Sequence, residues 1–303
     1  MVLASPSRRR SIGYREMPGF RCRTGNVIRG DPGSDDRMRR FFKARPIVVI
    51  DNAVYDQLAA TWWHENGILH MLKAGLNPWR IPYFQRVLAF RQVDPTGKRA
   101  LDVGCGGGLV AEEFATMGFA VTGVDPSYAS LQAARDHAAQ TGLRIEYCHG
   151  YGDALPFANE TFEVVYCCDV LEHIRTWDAV VCECARVLKP DGLFLYDTLN
   201  RTAFSKLLVI KLLQEWHYTR VLPLHLHVWE MFIRPAELHA SLEHHGLRSQ
   251  NMRGINLFMN PIQALRAIRQ YKTGKISGAE LGKRVSLREG ANMAASYMGY
   301  AIK

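Results

Sequence analysis

The sequence predicts an α/β protein built on a doubly wound, mostly parallel sheet. Three observations carry that expectation. Strand-like and helix-like segments alternate from Arg99 to Asp197. The strand candidates are near-continuous apolar runs, as a sheet covered on both faces requires. A glycine-rich turn joins the first of them to the first helix of the alternating part.

The elements follow in order. Asn52–Val87 has a helical pattern carrying Tyr55, Trp62, Trp63, Trp79, Tyr83 and Phe84, and reads as a helical cover. Only Lys73 and Arg80 lie among these aromatics, which suits core and lid packing better than stacking on nucleic-acid bases. Strands are expected at Arg99–Val103, Ala120–Val124, Ile145–Tyr147, Val164–Cys168 and Gly192–Asp197, with helices at Leu109–Met117, Ser130–Gln140 and Ala179–Leu188 between them. After Asn200 an apolar-basic segment, Phe204–Leu222, interrupts the pattern. Arg234–His245 reads as a helix entered through Pro235, followed by Leu247–Leu257 and a final strand, Ala294–Ile302. Residues 46–303 thus read as the folded domain, with 204–222 as an inserted lid or membrane-surface segment.

Composition narrows the function classes. The 303 residues are 48% apolar and 22% charged, a globular profile. No apolar run approaches the ~18 residues of a bilayer-crossing helix. Charge is unevenly placed: residues 1–50 carry 12 Lys/Arg against 4 Asp/Glu, residues 101–200 carry 5 against 15, and residues 201–303 carry 15 against 6. An acidic centre argues against a nucleic-acid surface there, while the basic last third permits contact with anionic membrane lipid. Residues 1–45 are Arg-rich, poor in acids and without hydrophobic periodicity, so a disordered basic tail is expected. The same features fit a mitochondrial transit peptide, leaving a cytoplasmic location, with membrane association, and the mitochondrial matrix as alternatives. The seven cysteines form no C-x-x-C pair and mostly lie in apolar stretches, which predicts free thiols.

The strongest chemical signal is Leu101-Asp102-Val103-Gly104-Cys105-Gly106-Gly107-Gly108 between a strand and a helix. Such glycines let the chain turn off the strand and bring backbone N–H groups against a ligand. Asp102 suits a ligand presenting a cationic amine. Asp125 ends the next strand, where an acid accepts ribose hydroxyls. A nicotinamide dinucleotide site competes, because Gly106-x-Gly108-x-x-Ala111 fits its permissive fingerprint. Later motifs decide: Tyr151-Gly152-Asp153-Ala154-Leu155-Pro156-Phe157, Phe162-Glu163-Val164-Val165, Leu171-Glu172-His173 and Leu188-Lys189-Pro190-Asp191-Gly192 occur in series.

That series is similar to class I S-adenosylmethionine-dependent methyltransferases. With Trp62-Trp63, Asn77-Pro78-Trp79-Arg80, Asp169-x-x-Glu172-His173, Thr198-Leu199-Asn200-Arg201 and Phe232-Ile233-Arg234-Pro235-Ala236-Glu237-Leu238, the chain resembles the ubiquinone-biosynthesis O-methyltransferase family over about residues 50–260. The resemblance implies a Rossmann-like, seven-stranded sheet with an antiparallel last strand. It also implies O-methylation of a ring hydroxyl on a lipophilic polyprenylated phenol or catechol, with S-adenosylmethionine as donor. By the same resemblance Arg80 reaches the donor's carboxylate, Gly104 lines its methionine side and Asp125 holds its ribose, with Asp102 and Gly106 of the same loop as further donor-binding candidates. Cys168, Gly152 and Asp153 contact the nucleoside. The chain departs from the family pattern at Tyr151, where an acid is usual, at Val228, which follows His227 where Asp is common, and over Lys272–Glu289.

A phenol with a pKa near ~10 is mostly protonated at neutral pH, so something must take its proton or stabilise the oxyanion. Asp169, Glu172 and His173 stand at i, i+3 and i+4 and on a helix share one face. They are the catalytic candidates. They are also candidate ligands for a divalent cation, Mg or Zn, that would chelate a catechol, and the resemblance points the same way. His173 as lone general base, or the triplet as a structural helix start, are the alternatives. His225-x-His227 would share a face on a strand, more as pocket rim than as ligands. Phe204–Trp216, with Lys206 and Lys211, suits a helix at a lipid surface or a lid over the site. A same-fold enzyme for a small phenolic or amino metabolite, and a non-catalytic donor-binding scaffold, remain the competing functions.

Overall fold

The computed structural model describes residues 53–285 and 287–303, so the expectations for the 1–45 tail lie outside the described residues. Five strands, β1 (Arg99–Val103), β2 (Ala120–Asp125), β3 (Ile145–His149), β4 (Phe162–Cys168) and β5 (Leu188–Leu199), form the parallel part of one sheet. The sheet continues through β6 (Arg248–Leu257), β7 (Leu287–Gly290) and β8 (Ser296–Ile302) in the order β3-β2-β1-β4-β5-β8-β6-β7, all three added pairings being antiparallel. The expected antiparallel last strand is β8. The count of seven is corrected to eight by β7, a four-residue charged edge strand (Leu-Arg-Glu-Gly) with no apolar alternation to announce it.

Helices cover both faces. On one side α2 (Ile68–Phe90), α3 (Ala111–Thr116) and α4 (Tyr128–Thr141) pack Phe84, Phe114 and Leu131 against the sheet, with Phe114 stacked on Tyr166 at 4.0 Å. On the other, α5 (Trp177–Val187) and α7 (Pro235–His244) bury Val180, Val181, Leu238 and Leu242 against Phe162, Phe194 and Tyr297. Near-continuous burial along β4 and β5 explains why these strands read as apolar runs rather than alternating ones.

The helical cover is broken rather than continuous: α1 (Ala53–Leu58), a 3₁₀ turn at Ala59–Thr61, then α2 starting at Gly67 as N-cap. After β5 a short helix, α6 (Ala203–Ser205), leads into a π-helical segment at Lys206–Glu215, where an ordinary helix was expected. Trp216 N–H closes it on Lys211 O at 2.8 Å, five residues back. Two further helices, α8 (Pro261–Lys272) and α9 (Gly278–Arg284), separate β6 from β7. Among the described residues no helix is long and apolar enough to cross a membrane. Among the described residues Cys105, Cys148, Cys167, Cys168 and Cys184 are free, as expected.

Candidate active site

The carboxyl ends of the parallel strands open on one cavity of about 1220 Å³. This is the place a doubly wound sheet offers a ligand, because the connections diverge there and leave a crevice.

The glycine turn forms the first wall. Gly104 and Gly106 have φ of 74° and 49°, and added Cβ atoms would lie 2.5 Å from Val170 and from Trp62 respectively. Both the backbone conformation and the space therefore demand glycine. The turn is fixed from behind by Gly104 N–H and Cys105 N–H donating to Val124 O, at 2.8 and 3.1 Å, and by Asn77 Nδ2 donating to Leu109 O at 3.1 Å. Asp125 accepts from Gly106 N–H at 2.9 Å and from Ser127 N–H at 2.8 Å, which leaves lone pairs on both oxygens for further donors. Burial raises its pKa; those two N–H bonds pull the other way.

Asp102 is 3% exposed, and its Oδ2 has no hydrogen-bond partner; burial, then Asp125, push its pKa well up. Arg80, 2% exposed, pairs with Asp169 and, at 3.3 Å, with Asp197, while its Nε is unpartnered. Burial likewise pushes Asp197 up, to about 7, against the pull of Arg80. One buried oxygen of Asp102 and the buried Nε–H of Arg80 thus lack partners in one cavity, an acceptor and a donor that a polar ligand could satisfy. Gly152, Asp153 and Cys168 line the same cavity; Asp153 accepts from Thr176 Oγ1 at 2.7 Å, and burial raises the Cys168 thiol.

The catalytic candidates also line the cavity, but not as one helix face. Asp169 leaves β4 in the left-handed region, at φ 55°, and Leu171–His173 is a single 3₁₀ turn. Asp169 consequently turns to Arg80. Glu172, 1% exposed, accepts from Thr198 Oγ1 at 2.8 Å and is pushed up to about 8 by burial and then by Asp169. His173 stands 3.3 Å from Tyr55 Oη through Nε2, and its ring centre lies 4.9 Å from that of His227. Burial lowers His173 to about 4, so its imidazole is neutral at ordinary pH. The helix face on which the cation site was expected is therefore not formed, although all three side chains line one cavity. Among the described residues no group of three or more His, Cys, Asp and Glu side chains is placed to hold a metal ion.

His225 and His227 do not share a face either: His225 is exposed with φ 62°, whereas His227 lines the cavity. Tyr55, Asp197 and Thr198, which contact His173, Arg80 and Glu172 respectively, were not singled out from the sequence. The signal for Asp197 and Thr198 was two polar residues closing the apolar strand Leu193–Tyr196 at the sheet's carboxyl edge. Tyr55 had none, since only the fold brings it across 118 residues to His173.

Beyond these groups the same cavity is lined largely by apolar side chains, among them Leu199, Leu208, Leu212, Leu226, Ile255 and Ile268.

The doubly wound sheet and the relatives that follow define a class I S-adenosylmethionine-dependent methyltransferase. The family model described as "Methyltransferase domain" matches residues 101–196. Two crystal structures share the fold: a putative sarcosine dimethylglycine methyltransferase from Galdieria sulphuraria (TM-score 0.53, 17% identity, 82% of this chain and 98% of that one) and a SAM-dependent methyltransferase from Aquifex aeolicus (TM-score 0.50, 14%, 83% and 98%). The ubiquinone biosynthesis O-methyltransferases of Roseobacter denitrificans and Bordetella avium are 39% and 37% identical to this chain, over 69% and 72% of it and 86% and 89% of their own lengths. The chain belongs to the ubiquinone biosynthesis O-methyltransferase family. It is an S-adenosylmethionine-dependent O-methyltransferase.

Proposed function

We propose that the enzyme methylates a ring hydroxyl of a polyprenylated phenol or catechol in quinone synthesis. The observation that carries this reading is the cavity itself, in which the polar groups at the carboxyl edge of the sheet share one space with a largely apolar lining. A small polar metabolite would leave that apolar surface unused.

When bound, S-adenosylmethionine supplies an electrophilic methyl group on a sulfonium. Asp102 and Arg80 would hold its amino-acid end, Asp125 its ribose, and Gly152, Asp153 and Cys168 its nucleoside. The remaining work falls to the chain: to place an oxygen in line with that methyl and dispose of its proton. His173 is the residue we assign to the proton. Its imidazole is kept neutral by burial, so a lone pair is available, and the nearby Asp169 carboxylate favours the imidazolium that forms. Tyr55 orients the ring through the contact at Nε2. Glu172 holds Thr198 and the turn rather than a cation. Because Asp169, Glu172 and His173 do not converge, this mechanism routes no step through a divalent ion.

Anionic membrane lipid is part of the same proposal. Leu207, Trp216 and Tyr218 are 54, 51 and 74% exposed on or beside the π-helical segment, next to Lys206 and Lys211. Trp216 also lines the cavity. An apolar, cationic rim at the mouth suits a substrate delivered from a bilayer.

The test is methyl transfer to a catechol bearing an isoprenoid tail, with and without chelator, compared with a tail-less catechol. Turnover of the tailed compound that survives chelation supports the whole reading. Loss on chelation, restored by Mg²⁺ or Zn²⁺, overturns the assignment of the proton to His173. No preference for the tail overturns the substrate class.

A further inference from the structure

Between β6 and β7 the chain leaves the sheet and builds the pair α8–α9, which lines the cavity. The pair is tightly held. Ala279 N–H donates to Glu65 O at 2.8 Å, which fixes the start of α9 beside that of α2. Farther along, the two helices meet at Gly75 and Gly282. A Cβ on Gly282 would lie 2.5 Å from the Met71 carbonyl oxygen, and one on Gly75 3.5 Å from that of Gly282. Arg284 Nη1 donates to Gln270 at 2.8 Å, tying α9 back to α8, and the Lys272 ammonium donates to the His217 carbonyl across the mouth.

What this scaffold presents to the cavity is apolar and partly small: Pro261, Ala264, Leu265, Ala267 and Ile268 from α8, Leu281 and Gly282 from α9, and Val285 just after it. None of the groups assigned to the donor or to the proton lies on α8 or α9. Ala264 and Ala267 present only a methyl group, so the wall is set back where larger residues would fill the cavity.

We infer that α8 and α9 form the wall that selects the hydrocarbon tail of the substrate, the small residues setting how long a tail the cavity accepts. The inference rests on the polyprenyl reading above. A tail that reaches the wall gains contact with it, whereas one that stops short is indifferent to what stands there. Residue size on the wall should therefore act on long-tailed substrates alone.

The experiment uses the full chain and two catechols with the same ring, one with a single isoprene unit and one with several. In Ala267→Phe, kcat/KM for the long-tailed catechol is expected to fall about tenfold or more while that for the short-tailed one holds within about twofold. Ile268→Ala removes volume and is expected to shift the long-to-short ratio the opposite way by about threefold or more. Thermal melting and calorimetry with S-adenosylhomocysteine identify any variant whose fold is lost, in which case Ile268→Ala decides. Equal loss on both substrates, or no change in the ratio, overturns the wall. Wild-type enzyme that prefers neither catechol overturns the polyprenyl reading itself, and the inference falls with it.

Discussion

The two ends of the cavity are built on opposite principles. The donor end is polar, buried and made of parts fixed by backbone: glycines with φ of 74° and 49° and an aspartate gripped by two N–H groups. The tail end is apolar and made from segments added to the sheet, the π-helical stretch and α8–α9. A donor common to a class of enzymes calls for exact polar placement. A greasy substrate calls only for shape and dryness, which inserted helices supply without altering the sheet.

The comparison breaks most sharply at the donor end. Asp125→Ala removes the acceptor of two backbone bonds and of the ribose, so calorimetry with S-adenosylhomocysteine should show affinity reduced about a hundredfold, on the order of 2–3 kcal/mol. Retained affinity would show that the strand end does not hold the nucleoside.

At the junction of the two ends, His173→Gln should lower kcat about a hundredfold with donor affinity intact. The wild-type pH profile should be flat around neutrality and fall as pH approaches about 4, where His173 takes a proton. The same group makes stability fall as pH drops below ~6.5, because the unfolded imidazole binds its proton first. A profile falling near neutrality would show that His173 is not the desolvated base.

Glu172 should give the next effect, with opposite sign. Its folded pKa, pushed up to about 8, exceeds that of the unfolded chain, so its contribution is complete at low pH and drains away as pH rises towards 8. Melting temperature followed from about pH 5 to about pH 9 should therefore decline less in Glu172→Gln than in wild type. Identical slopes would show that Glu172 is ionised in the folded protein.

Smaller still, Tyr55→Phe removes one hydrogen bond to His173 and should cost about 1 kcal/mol in kcat, roughly fivefold. At the tail end, replacing Lys206 and Lys211 by Glu should weaken flotation with anionic liposomes by about 1 kcal/mol per residue, with soluble-substrate kcat unchanged. Unaltered flotation would confine the segment to a lid role.

Much of the donor end was legible in the chain because its requirements are local. A glycine turn after a strand, an acid closing the next strand and Arg80 in Asn77-Pro78-Trp79-Arg80 are patterns of neighbours, and these residues all reach one cavity. The Asp169, Glu172 and His173 spacing misled, because a helix face was inferred where the backbone instead takes φ 55° at Asp169 and a single 3₁₀ turn. β7 was invisible because a four-residue charged edge carries no apolar pattern.

By itself the sequence determined the parallel sheet, the glycine cradle and the family, since each depends on residue types at short, regular separations. Tertiary structure alone decided that Tyr55 meets His173, that Asp197 shares Arg80 with Asp169, and that α9 closes on α2 through Gly75 and Gly282. Those contacts join residues from about ninety to more than two hundred positions apart. They exist only once burial has assembled the sheet and brought separate segments into one desolvated space, where an unpaired polar group or a badly fitted Cβ becomes costly.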